Sequence, residues 1–384
     1  MEFEPPIVTG VGWETPLGNT LDGVWARLLK GETGVREVPS GTPLRSNLAA
    51  IVPDVPLEQP PGERQHTLAT RAITTALADA GLTPEVLAGP GTELILGTSY
   101  AANLDDPDVV RLDDWARGVA EALGYPRPPL CVATACSAGS DALLMGAELI
   151  RSGQREVCVC VGADIVTPAK RLGHSLLGTM SPDGLRAFDS RHNGMILGEG
   201  AGVFILESVN HARSRCARER AILHGAGSAN DAAGMTAPDP AGSSVVLAVE
   251  RALAGSGLTT QDISVVSAHG TATPVNDAVE STSLRTLFGA AAEKPTVFGT
   301  KGALGHSLGA CGTIEAITLI QALTDRQVPP VQELEEPIDD FPLPLPPAQD
   351  RGTPVPAGSG LSLTLGFGGF NTALLFTVPG ADHE

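Results

Sequence analysis

A cysteine stands at residue 136 of "LCVATACSAGSDALLMGAELI", where a short apolar run gives way to small residues and then to apolar positions at helical spacing. A thiol at a strand-to-helix corner is suited to nucleophilic work. The unpaired N–H groups and dipole of a helix N-terminus favour a thiolate, and the same residue's backbone N–H can steady an oxyanion. Two histidines hold comparable places: His269 follows the apolar start of "VVSAHGTATPVNDAVE", and His306 shares the glycine-rich "GTKGALGHSLGACGTIEA" with Lys301. The glycine-dense "LGFGGFN", residues 365–371, can bring backbone N–H groups close to a ligand. Singly, each of these is more often structural; together they point to thiol chemistry assisted by imidazoles.

Such residues need strands that end beside them. The runs "PPIVTGVG", "TELILGTS", "LCVATA", "EVCVCVGAD", "GVFILESV", "ISVVSAHG", "PTVFGT", "LSLTLGFGG" and "TALLFTV" alternate with stretches of helical period at 64–80, 137–152, 243–255, 277–288 and 309–325. That alternation predicts an α/β fold with buried sheets. Aligning Gly139 with Gly312 sets "GSDALLMGAELIRSGQ" against "GTIEAITLIQALTDRQ". This faint repeat suggests two similarly built halves, each with one of these helices at its centre and Cys136 or His306 near the helix start. The proline-rich, acidic stretch 327–356 predicts an extended surface connection.

The 384 residues include 45 Gly and 31 Pro with only 4% aromatics, which suits a large α/β unit packed from small side chains. A formal net charge of −19 argues against a nucleic acid partner. In "HARSRCARER", Arg213, Arg215, Arg218 and Arg220 form either a local basic patch or a solvated helix face. The N-terminus lacks the pattern of a secretory signal, and no apolar run approaches the roughly 20 residues that span a bilayer, so the expected location is the cytoplasm. The six cysteines lack the paired spacing of a zinc site, and Cys158 and Cys160 read as reduced core thiols.

Nearly end to end, the chain resembles the β-ketoacyl synthases, the decarboxylating condensing enzymes of the thiolase superfamily. "IVTGVGWETPLGNTLDGVWARLLKGETGV" resembles the family's opening segment, "TACSAG" its nucleophile corner and "RAFDSRHNGMILGEGAG" its middle motif. "HGTATPVND", "TKGALGHSLGACGTIEA" and "GFGGFN" resemble its histidine, lysine–histidine and closing-loop motifs. The resemblance implies a thiolase-like, five-layered αβαβα fold of two duplicated halves, 1–210 carrying the cysteine and 211–384 carrying both histidines. It implies Cys136 as the acylated nucleophile, His269 and His306 over a malonyl group, and Lys301 and Glu315 as supporting charges. Phe367 would be the gate and a second oxyanion donor; Thr271, Thr273 and Phe370 would contact substrate. It further implies no metal and no cofactor, substrates carried on the phosphopantetheine of an acyl carrier protein, and a homodimer or a heterodimer with a related chain-length-factor subunit. The reaction implied is decarboxylative Claisen condensation in fatty acid or type II polyketide or polyene synthesis.

Three departures stand out. Gly302 follows Lys301 where the family usually has Ser. Phe370 and Leu365 stand where a small polar residue and a Phe are common. The stretch between "LGTSY" and "TACSAG" is roughly 20 residues shorter than is usual. Two other functions fit parts of the pattern: a non-catalytic partner shaping the chain-length cavity, although such relatives lack the cysteine, and a thioester hydrolase, which has no use for two histidines facing malonate.

Overall fold

The computed structural model describes residues 4–105, 108, 111–289, 291 and 293–380. Its frame is a sheet of ten strands in the spatial order Thr296–Phe298, Ile263–Ser267, Ser359–Gly366, Phe370–Thr377, Ala221–Asn230, Ile7–Glu14, Gly200–Glu207, Val157–Asp164, Thr92–Gly97 and Leu130–Val132. The five strands before residue 210 and the five after it follow one plan. In each group the first strand in the chain is innermost, and outward from it lie the fifth, fourth, second and third. The two innermost strands pair only at Ile7–Ile222 and Val8–Ala221, which joins the groups into one continuous mixed sheet.

Two central helices, Ala138–Arg151 and Cys311–Asp325, pack on each other and on strands of both groups. The second is buried almost all round, as a helix enclosed between the two groups of strands must be. Helices Pro61–Asp79 and Asp114–Ala122 cover the first group, and Ser243–Leu253 with Pro274–Phe288 the second. The result is the expected αβαβα layering. Gly139 and Gly312, the residues that align the repeat, lie where the central helices cross. A Cβ on Gly139 would stand 2.9 Å from the Gly309 carbonyl oxygen, and one on Gly312 would stand 2.1 Å from Ser140 Oγ.

The nine expected strands and five expected helices are present, with ends that differ by a few residues. The strand Ala221–Asn230, "AILHGAGSAN", went unread because its small residues carry little β-propensity. They serve packing instead: a Cβ on Gly225 would meet the Ala252 carbonyl oxygen at 1.8 Å. Residues 327–356 are irregular as expected apart from a short antiparallel pair, Gln327–Val328 with Thr353–Pro354, but they are not merely a surface connection. Val328, Val331, Leu334 and Leu343 are buried, and Val297 N–H and Ile338 N–H bond across to Pro344 and Phe188 carbonyls. Of the arginines of 213–220, Arg215 pairs with the buried Glu207, Arg220 with Asp79 and Arg213 with Glu4, so most of the run's charge is met by carboxylates.

Candidate active site

Cys136 begins where strand Leu130–Val132 turns into helix Ala138–Arg151 through one 3₁₀ turn, Ala135–Ser137. Ala135 makes the corner by taking a left-handed φ of 50°, a strained choice for a residue with a Cβ. Side chains fasten the strained corner to the closing hairpin. Thr134 Oγ1 and Thr372 Oγ1 donate to the two oxygens of Asp141 at 2.6 Å each, and Ser137 Oγ donates to the Phe370 carbonyl at 2.6 Å. The hairpin thereby carries the Phe367 backbone N–H to the Cys136 sulfur.

His306 stands between two short helical turns, with its N–H on the Ile196 carbonyl oxygen and its own carbonyl accepting from Gly198 N–H. Its Nε2 is 3.3 Å from Cys136 Sγ. Its Nδ1 accepts the Leu308 N–H at 3.1 Å, so the ring proton resides on Nε2. His269 lies two residues beyond the strand Ile263–Ser267, and the Glu280 carboxylate accepts its N–H and that of Gly270 at 2.7 Å each. Its Nδ1 faces the Lys301 ammonium at 3.1 Å, which again leaves the ring proton on Nε2. The two rings meet edge to face, centroids 5.2 Å apart. Lys301 also donates to the His269 carbonyl at 2.5 Å and pairs with Glu315.

Burial is the largest influence on every group here. It drives both imidazoles well below 6.5, and the Lys301 charge takes them further, so both are neutral at pH 7. It pushes the Cys136 thiol up to about 12, more than Lys301 and the Phe367 N–H pull it down. The thiolate expected at a helix N-terminus is therefore not the resting form, because desolvation in this enclosed corner outweighs the dipole. Burial raises Glu315 to about 7 against the pull of Lys301. Burial opposes the Lys301 charge, yet the neighbouring Glu315 carboxylate keeps that pKa raised. Ligand atoms of Cys136, His269 and His306 lie within 4.8 Å of one another, close enough for a metal. A nitrogen that holds a proton offers a metal no lone pair, so this tautomer pair serves donation better than coordination.

A cavity of about 300 Å³ opens onto these atoms, lined by Cys136, His269, His306, Phe367, Thr271 and Thr273 among others. Lys301 and Glu315 lie behind its wall. Phe370, expected to touch substrate, is not among the lining residues; its ring edge packs over Gly368 and its carbonyl takes the Ser137 bond. Leu365 does line the cavity. Gly302 is explained by its neighbour: a Cβ there would stand 2.4 Å from Gln332 Cβ. The shortened stretch holds the helix Asp114–Ala122, while its residues 106, 107, 109 and 110 lie outside the described residues.

Sequence reasoning missed the residues that hold the loops. Asp277 accepts from Phe188 N–H at 2.8 Å and Ala272 N–H at 3.1 Å, and Glu280 fixes the His269 turn. Both lie in "NDAVE", where acidic residues in the first turns of the helix Pro274–Phe288 signal interaction with nearby N–H groups. Asp164, at a strand end, accepts Ser99 N–H at 2.8 Å and Gly309 N–H at 3.0 Å and pairs with Lys170.

Residues 4–212 match the family model described as "Beta-ketoacyl synthase, N-terminal domain", and residues 220–335 match "Beta-ketoacyl synthase, C-terminal domain". The chain is 31% identical to the "3-oxoacyl-[acyl-carrier-protein] synthase 2" of Synechocystis sp., with 98% of each chain covered. It is 29% identical to the "Tetracenomycin polyketide synthase ketoacyl synthase alpha subunit" of Streptomyces glaucescens over 97% of each. The solved structure of "The ishigamide ketosynthase/chain length factor" aligns with TM-score 0.87 at 29% identity, covering 98% of this chain and 100% of that one. Matched in order by both domain models and aligned with its relatives from end to end, the chain belongs to the β-ketoacyl synthase family.

Proposed function

We propose that the protein is an acyltransferase that joins an acyl group held on Cys136 to a malonyl unit delivered by an acyl carrier protein. The observation that carries this reading is the pair of Nε2–H groups, on His306 and His269, gathered in the cavity that opens onto the sulfur. In the first half-reaction Cys136 Sγ attacks the incoming thioester carbonyl. The C–S bond to the carrier breaks, and the proton lost by Cys136 leaves with the carrier thiol. In the second, malonyl thioester loses carbon dioxide, and the enolate oxygen takes hydrogen bonds from both imidazoles, each worth about 3 kcal/mol. The enolate carbon attacks the Cys136 thioester, and the tetrahedral oxyanion rests on the Cys136 and Phe367 N–H groups. Collapse expels the sulfur, which takes up one proton, and the product is a β-ketoacyl thioester on the carrier.

Thr271 and Thr273 would meet the pantetheine arm, and no cofactor of the enzyme's own is needed. The same reading places the enzyme in the cytoplasm as a dimer with itself or a related subunit, built of halves 1–210 and 211–384. Intact-mass analysis with acyl and malonyl carrier thioesters tests it. The expected result is an acyl adduct on the wild type, none on Cys136→Ala, and β-ketoacyl product with carbon dioxide release. Release of free acid without condensation would instead mark a hydrolase, and neither adduct nor turnover a non-catalytic subunit.

A further inference from the structure

A third histidine borders the cavity and has no part in the steps above. His174, near the end of helix Pro168–Leu176, lines the same space as Cys136, and its ring lies 5.8 Å from that of Phe367. Its tautomer can be read from its neighbours. Thr179 Oγ1 is 3.1 Å from both His174 Nδ1 and the His174 carbonyl oxygen. The hydroxyl has one proton, and the carbonyl, which cannot donate, must receive it; otherwise two oxygens would face each other with none between them. Thr179 Oγ1 therefore accepts from Nδ1–H, and Nε2 is left with a lone pair. This is the reverse of His269 and His306, which present N–H. Burial, then the nearby Lys170 charge, lowers His174 to about 4, so the acceptor persists at neutral pH.

A second acceptor without a donor lies on the adjoining segment. Asn193 Nδ2 donates to Asp183 Oδ1 at 2.9 Å, which fixes the amide's orientation, while Asn193 Oδ1 is buried and has no partner among the described residues. Asn193 lines the same cavity, and Met195 N–H, two residues on, bonds to the Thr179 carbonyl oxygen at 2.8 Å. Asn193 Oδ1 is itself sealed from solvent, so His174 Nε2 is the acceptor that this wall of a largely apolar space can offer a ligand. A buried acceptor left unpaired is costly, so such a wall favours a ligand that brings a proton.

We propose that His174 is a specificity determinant, its Nε2 accepting a hydrogen bond from a hydroxyl group on the acyl chain. This rests on the reading that Cys136 takes up the acyl group. Cys136, His174 and Phe367 line one cavity, so a chain bonded to that sulfur has His174 within the space it can occupy.

The test uses pantetheine thioesters of one chain length, unsubstituted or with a single hydroxyl at C3, C5 or C7, and follows mass gain at Cys136. Within each protein the readout is the ratio of hydroxylated to unsubstituted loading rates, which keeps the pantetheine arm constant. In the wild type at least one hydroxylated chain loads about tenfold faster than its unsubstituted counterpart. The ratio falls to about one in His174→Phe, which keeps an aromatic ring but lacks the acceptor. It falls also in Thr179→Val, which frees Nδ1 and lets the proton move to Nε2. Equal loading of all chains by the wild type, or a preference that survives His174→Phe, would overturn the proposal. If no chain loads on Cys136, the reading beneath it fails as well.

Discussion

Behind His269 stands an ammonium and behind His306 a backbone N–H, and each sends the ring proton to the side facing the cavity. Because burial and Lys301 hold both rings well below 6.5, they remain neutral where a free imidazole would charge. Malonyl decarboxylation therefore stays within about twofold from pH 8 down to pH 6; a fall centred near 6.5 in a rate-against-pH series would contradict this. The sign for stability follows from the same shift. A base depressed in the folded state contributes stability that is complete above its unfolded value of 6.5 and is lost as pH falls through it, at up to about 1.4 kcal/mol per pH unit for each ring. The Lys301–Glu315 pair gives a second prediction. Lys301→Met strands a buried carboxylate and costs about 3–5 kcal/mol, whereas Lys301→Met with Glu315→Met recovers most of that stability. The double variant still decarboxylates slowly because nothing holds the His269 tautomer. Thermal melts read beside decarboxylation rates separate the two effects. Cys136, His269, His306 and Lys301 were legible from local motifs and Glu315 from the family resemblance; His174 was not, because its meaning lies in which lone pair remains once Thr179 has taken the other ring nitrogen.

The turn after Lys301 shows how an element adapts to a neighbour far along the chain. Gly302 packs against Gln332, so restoring a serine there pushes its Cβ into the Gln332 side chain and the Leu185 carbonyl oxygen, 3.0 Å away. Gly302→Ser should lower stability by about 1–3 kcal/mol, in the range of overpacking. Gln332→Gly in the same chain should recover part of the loss, as judged by denaturant midpoints. A serine tolerated without loss would mean that Gln332 gives way freely. Elements with strong periodicity, such as the strand Val157–Asp164 and the helix Cys311–Asp325, were plain in the sequence. The strand Ala221–Asn230 was not, since its glycines and alanines answer to the helix Ser243–Leu253 laid on them and carry no alternation of their own.

At the scale of the molecule, the central crossing decides whether the two groups of strands share one core. Gly312→Val would drive a branched side chain into Ser140 and part the helices, so little folded protein is expected, by far-ultraviolet circular dichroism and gel filtration. The charge of −19 acts on the same whole. Raising sodium chloride from about 10 mM to about 0.5 M should raise the melting temperature by screening self-repulsion. The duplication also reaches the corners themselves. Leu308 repeats the left-handed turn of Ala135, with φ of 52° against 50°, but where Cys136 follows the first, Gly309 follows the second and gives its N–H to Asp164. The counterpart of the reactive corner has thus been retired into scaffolding. Two look-alike lobes keep a single workplace, one lending the sulfur and the other the rings, and a chain severed between them would leave two inert pieces until they found each other again.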